Sequence, residues 1–175
     1  MGKYDRLGEL LKDIINGHNN ITSEVKIISN DSIISMIVNS IDHRGINIIV
    51  DEQADLNEIY MSEMELQRVI SNILRNSITA MNGRGVITIK TYYGFNKFII
   101  DIKNNGPKIE ENIINKIFEA GFSTKENKDN GFGLAIVKEL IENYNGNISV
   151  SSSEEATSFI IKLPSKKNSS KLGIC

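Results

Sequence analysis

Two closely spaced pairs of alternating apolar stretches constrain this chain more than anything else in it. Residues 86–93 and 98–103 flank Gly94-Phe95-Asn96, and residues 148–153 and 158–163 flank a short acidic turn. Alternation with period two on either side of a turn predicts strands that pair as neighbours. Before and between the pairs the periodicity is that of helices. Residues 63–81 put Leu66, Val69, Ile70, Ile73, Leu74, Ala80 and Met81 on one broad face. A second helix is expected over residues 133–144, ended by Asn145-Gly146-Asn147, and a short one over about 110–118. Strands in adjacent pairs with helices between them predict an α+β two-layer sandwich, a mixed or antiparallel sheet with helices on one face.

Before this region, Tyr4, Leu7, Leu10, Leu11, Ile14 and Ile15 are spaced for a helix over 4–17. Residues 18–30 read as a polar linker. Asp31 and Ser32 can cap a further helix to about Arg44, with Ile33, Ile34, Ile37, Val38 and Ile41 as its apolar positions. Gly45 stops it, and residues 46–50 read as a strand. The expected division is a helical segment at 1–44, a main domain at 45–164 and a disordered tail at 165–175. The two leading helices have no obvious place in the sandwich.

A length of 175 residues suits one ordinary domain with a short attachment, and 40% hydrophobic with 24% charged residues is globular composition. A net charge of −2 gives no electrostatic case for nucleic acid or an acidic membrane surface. The single cysteine, Cys175, cannot form an internal disulfide, which suits a reducing compartment. No apolar run approaches the roughly 20 residues that span a bilayer. The expectation is a cytoplasmic segment without membrane contact of its own, any anchor of a parent protein lying elsewhere.

Three stretches carry chemistry. Residues 119–137 run from a polar loop through Gly131-Phe132-Gly133-Leu134 into a helix start. That arrangement presents backbone N–H groups and a positive dipole end to an anion, so a phosphate-bearing ligand is expected; a plain glycine-assisted helix entry is the alternative. Arg68, Asn72, Asn76 and Thr79 line one edge of the 63–81 helix, and two asparagines at i and i+4 can offer amide oxygens to one hard cation such as Mg²⁺. Asn104-Asn105-Gly106-Pro107 ends a strand in amides, and the Asn104 side chain can both accept from and donate to an adenine edge.

Taken in order, these residues resemble a known family. Asn72-Ile-Leu-Arg-Asn76 resembles the N box, Asn104-Asn-Gly106-Pro-Lys-Ile the first glycine box, and Ile117-Phe118-Glu119-Ala-Gly-Phe122-Ser-Thr-Lys125 the F box. Gly131-Phe132-Gly133-Leu134 resembles the second glycine box, and Ala156-Thr157-Ser-Phe159 the closing Gly-Thr-x-Phe element. Together they are similar to the catalytic, ATP-binding domain of sensor histidine kinases in the Bergerat (GHKL) ATPase superfamily, closest in look to the sporulation, quorum-sensing and dicarboxylate-sensing branches. The resemblance covers about residues 45–164.

It implies a Bergerat fold and a phosphotransferase that moves the γ-phosphoryl of Mg–ATP to a histidine on a dimerisation helix, in a homodimer that serves a response regulator. Asn76 would be the Mg²⁺ ligand with Asn72 its helper, and Asn104 would sit under the adenine with Gly106 admitting the backbone. Lys125 would belong to a mobile ATP lid over 123–130, hinged at Gly131 and Gly133. Phe132 and Leu134 would stand beside the phosphates and Thr157 on the pocket floor. The chain departs from the pattern where Asn104 replaces the usual Asp, Thr79 a frequent Lys, and Lys108 and Ala156 two glycines. Hydrolytic relatives carry a water-activating Glu at the position of Asn72, so hydrolysis is not the expected main reaction. Neither His18, at a helix break without an acidic neighbour, nor His43, at a helix end, suits the phosphoacceptor, which is expected to precede Met1. The competing functions are an anti-sigma-type serine kinase and a nucleotide-binding scaffold.

Overall fold

The computed structural model describes residues 30–43, 45–54, 59, 61–94, 96–123 and 131–165. The helix expected over 4–17, His18, Lys125 with the rest of 124–130, and the tail over 166–175 lie outside the described residues. The elements are α1 (Asn30–Ser40), β1 (Ile46–Glu52), α2 (Glu63–Ala80), β2 (Gly85–Gly94), β3 (Lys97–Asn104), α3 (Glu111–Ile114), α4 (Gly133–Asn143), β4 (Asn147–Ser152) and β5 (Thr157–Pro164).

The strands form one sheet in the order β1-β2-β3-β5-β4, with β1 parallel to β2 and every other pair antiparallel. This is the mixed sheet of an α+β sandwich, as the paired strands predicted. Inward positions are apolar: Ile87 and Ile89 on β2, Phe98, Ile100 and Ile102 on β3, Phe159, Ile161 and Leu163 on β5. Most intervening positions carry polar side chains on the outer face, including the Lys90–Asp51 ion pair at 3.3 Å and a Ser158 hydroxyl that donates to Asp101, with Ile99 and Ile160 as apolar exceptions. A sheet so patterned has one face to bury.

Helices α2 and α4 cover that face. α2 buries Leu66, Val69, Ile70, Ile73, Leu74 and Ser77, and α4 buries Val137, Leu140 and Ile141. Ala80, assigned by periodicity to the apolar face, is exposed at the last residue of the helix. α1 differs more from expectation. It stops at Ser40, where the Ser40 hydroxyl donates to the Ile37 carbonyl at 2.8 Å, rather than near Arg44. Ile34, Ile37 and Ile41 sink into the same core cluster as α2 and the sheet, so this helix is part of the domain's packing. At the other end Ser165, expected in the tail, forms a bridge with Ile59. The expected helix over 110–118 shortens to α3, followed by turns.

Local chemistry fixes the helix ends. Ser62 caps α2 by accepting from the Glu65 N–H at 3.3 Å, and its hydroxyl donates to the Glu65 carboxylate, a reciprocal cap. The Tyr144 hydroxyl donates to the same carboxylate, joining the start of α2 to the end of α4. α4 closes with Asn145 at φ 55°, the Asn145 N–H on Glu142 O at 2.9 Å and the Gly146 N–H on Ile141 O at 2.9 Å. That pair of bonds is a Schellman motif with asparagine in the left-handed position. Among the described residues, no helix is long and apolar enough to cross a membrane.

Two outcomes follow for stability. Burial, and then the hydrogen bond and negative charge of Glu65, raise the Tyr144 phenol above its ordinary pKa of 10.0. A folded-state pKa above the unfolded one means the contribution is complete below the unfolded value and is lost as pH rises through the folded value. Tyr144→Phe should therefore cost about 1 kcal/mol near neutral pH. The gap from wild type should narrow above pH 10 in urea melts. Thr91 is fully buried on β2 and its hydroxyl has no partner among the described residues. Thr91→Val keeps the shape and removes the orphan, and should raise the unfolding free energy by about 1 kcal/mol in the same assay.

Candidate functional site

A cavity of about 960 Å³ opens between α2, the end of β3, the turns after α3 and the start of α4. Its walls bring together Asn72, Asn76 and Thr79 from α2, Asn104 from β3, Phe122 and Ser123, Gly131 to Leu134, and Thr157 and Phe159 from β5. Arg68, on the same helix edge as the asparagines, is exposed and is not among the lining residues. Gly106 does not line the cavity, but its N–H donates to Asn104 Oδ1 at 3.0 Å. Lys125 lies outside the described residues.

The floor is where the apolar inner face of the sheet turns polar. Register places Asn104 beside Thr157 across the β3–β5 pair, and Ser152 beside Thr157 across β4–β5. Asn104 is 4% exposed. Its Oδ1 takes the Gly106 N–H and its Nδ2 donates to Ser77 Oγ at 3.1 Å. Thr157 and Ser152 share a hydroxyl–hydroxyl bond of 2.6 Å, and Ser152 Oγ also accepts the Ile109 N–H at 2.9 Å. The turn after β3 is thereby tied to the floor at two points. A Cβ on Gly106 would sit 2.8 Å from Asn104 Oδ1 and 3.0 Å from Met81 Cγ, so only glycine allows the backbone this close.

The wall opposite is the N-terminus of α4. Its cap residue Phe132 makes no side-chain cap hydrogen bond, so the side chain that usually satisfies a first-turn amide is lacking at this position. A Cβ on Gly133 would lie 3.6 Å from Asn72 Oδ1, which puts the Asn72 amide at the mouth of that helix. Amide oxygens of Asn72 and Asn76 beside uncapped N–H groups suit a hard cation bridged to phosphate. Among the described residues no cluster of three or more His, Cys, Asp or Glu could hold a metal alone. The donor set therefore fits Mg²⁺ carried with a phosphate ligand.

Gly131 is held in a tight backbone contact. Gly131 has φ 56° and a Cβ there would meet Gly121 C and Phe122 O, each at 2.7 Å, while the Gly121 N–H donates to Gly131 O at 3.1 Å. Gly121 is also left-handed at φ 81°, so the contact joins two glycines in that conformation, whereas no positive φ marks Gly133.

Sequence reasoning missed Ser77, Ser152 and Arg75. Ser77 sat in the apolar stripe and Ser152 at a strand end, and nothing local marks either as a partner of Asn104 or Thr157. Arg75 lines the cavity one helical turn before Thr79. Thr79 donates to the Arg75 carbonyl at 2.7 Å, and Lys108 pairs with Glu154 at 3.4 Å. His43 is half-buried, its Nδ1 3.5 Å from Ile46 O at the start of β1.

Residues 61–167, more than half of the chain, match the family described as histidine kinase-, DNA gyrase B-, and HSP90-like ATPase. Sensor protein CitS of Halalkalibacterium halodurans is 32% identical over 127 residues, 69% of this chain and 24% of that protein. Sporulation kinase B of Bacillus subtilis is 30% identical over 132 residues, 74% of this chain and 30% of its own length. This chain thus spans about a quarter to a third of these relatives. Among solved structures, full-length ShkA in complex with AMPPNP superposes with a TM-score of 0.74 at 20% identity, covering 92% of this chain and 36% of that one. Histidine kinase ThkA in complex with the response regulator TrrA gives 0.70 at 22% identity, covering 94% and 48%. At such identities the likeness establishes the fold.

Gly131→Ala should destabilise the domain by about 1–2 kcal/mol through its left-handed backbone alone, with the clash on Gly121 in addition. Gly133→Ala should leave stability within about 0.5 kcal/mol. Paired thermal melts check the contrast.

Proposed function

The chain belongs to the histidine kinase-, DNA gyrase B- and HSP90-like ATPase family, and from that we propose that it is the catalytic part of a two-component sensor kinase. In this reading the cavity binds Mg–ATP and delivers its γ-phosphoryl to a histidine on a dimerisation helix of the same parent protein. The observation that carries it is the convergence of Asn72, Asn76 and the uncapped start of α4 on one wall, with Asn104 and Thr157 on the floor. One end of the cavity suits phosphates and the other a base.

Asn76 and Asn72 would hold Mg²⁺, which when bound neutralises charge between the phosphates. The amides of Gly133 and Leu134 would hold phosphate oxygens, Phe132 would wall the site, and Arg75 would supply the cation that Thr79 does not. Lys125 would come from the lid over 123–130. Asn104, oriented by Gly106 and Ser77, would meet the base above Thr157. Phosphoryl transfer asks mainly for positioning and charge stabilisation, so the domain needs no base of its own when an imidazole is the nucleophile.

The complexes of the two structural relatives support this reading at the level of the fold: one holds the ATP analogue AMPPNP, the other a response regulator. The segment over 1–44 would then be the end of a dimerisation hairpin and its connector, with α1 seated in the domain core and able to transmit force to it.

With labelled ATP, Mg²⁺ and a helical segment bearing the acceptor histidine, the chain should yield an acid-labile phosphoprotein. Asn76→Ala should weaken Mg²⁺-dependent ATP binding by ten-fold or more, about 1.4 kcal/mol, in calorimetry with and without EDTA. An acid-stable product, or Mg²⁺-dependent affinity unchanged in the variant, would overturn the assignment.

A further inference from the structure

We propose that this nucleotide site accepts 6-oxopurine triphosphates, inosine and guanosine, alongside ATP. The proposal rests on the reading of the cavity as a nucleotide site and concerns what its floor can recognise.

Asn104 is buried at the cavity floor, and its orientation is fixed by chemistry. The Gly106 N–H can only donate, so the atom 3.0 Å away must be the carboxamide oxygen. A flipped amide would set two donors against each other. The nitrogen therefore points to the Ser77 side, where one of its hydrogens reaches Ser77 Oγ at 3.1 Å. One amide hydrogen and one lone pair on Oδ1 remain, and neither has a partner among the described residues. Asn104 thus keeps one donor and one acceptor on a single carboxamide.

A carboxylate in this place offers acceptors only. It can take the 6-amino group of adenine, and it repels the 6-oxo group of hypoxanthine or guanine. The carboxamide removes that discrimination. Adenine presents a donating amino group beside an accepting N1, while hypoxanthine and guanine present an accepting oxygen beside a donating N1–H. Asn104 meets the first with Oδ1 and the second with Nδ2–H, the base shifting sideways by less than its own width. Ser77 tolerates both residue types, because its hydroxyl accepts from a carboxamide and can turn to donate to a carboxylate.

Displacement of a fluorescent ATP analogue from the full chain by ATP, ITP and GTP in Mg²⁺ tests this. ITP is the sharper probe, since it differs from ATP at the 6-position edge and lacks guanine's 2-amino group. Expected is an ITP dissociation constant within about ten-fold of that for ATP, and an ITP-to-ATP ratio raised about ten-fold or more by Asn104→Asp. The ratio cancels the shared triphosphate and any general damage to the pocket. An ITP constant beyond ten-fold of ATP in the unmodified chain, or an unchanged ratio in a folded Asn104→Asp, overturns the proposal while the ATP site stands. Where the variant does not fold, the unmodified chain's ratio decides. Failure of ATP itself to displace the probe removes the nucleotide site, and this inference with it.

Discussion

Everything in this domain depends on helix α2 serving two environments at once. At 3.6 residues per turn its buried positions Leu66, Val69, Ile70, Ile73, Leu74 and Ser77 form one face, and Asn72 and Asn76 fall on the adjacent edge. Burying the apolar face against the sheet and α4 therefore sets the asparagines along the cavity wall without further adjustment. At about 1.5–3 kcal/mol per fully buried aliphatic side chain, that face supplies far more free energy than any single polar contact at the site. The rotation of α2 about its axis is decided by hydrophobic burial, and the polar site inherits it.

The floor shows how the sheet does the same for the base end. Its inner face is apolar along most of its width and becomes polar where Ser152, Thr157 and Asn104 stand in adjacent strands. Such groups are tolerated because each hydroxyl or amide is bonded to a neighbour or to the turn over 105–109. Thr91 differs: among the described residues its buried hydroxyl has no partner, and it lies away from the cavity lining.

Gly121 and Gly131 meet in a close backbone contact. A backbone hydrogen bond and two left-handed glycines make that contact a short stem. The stem also explains why the second glycine motif begins one residue before the cap of α4: Gly131 belongs to the stem, and Gly133 clears the approach to Asn72.

Much of this was determined by the sequence alone. Period-two and period-3.6 patterns specified strands and helices, and adjacency in the chain specified the two hairpins, because those signals are local. The boxes around Asn72, Asn104, Gly131 and Thr157 were also legible, since each is a short run of special residues. The tertiary structure alone decided the rest. Strand order and register set Asn104 beside Thr157, and helix packing made Ser77 the partner of Asn104 and Glu65 the partner of Tyr144. It also drew α1 into the core through three isoleucines and brought Gly131 against Gly121. These facts link residues far apart in the chain, or depend on which atom of a side chain faces which neighbour. No local pattern encodes them, because they are fixed only when one set of burials excludes all the others.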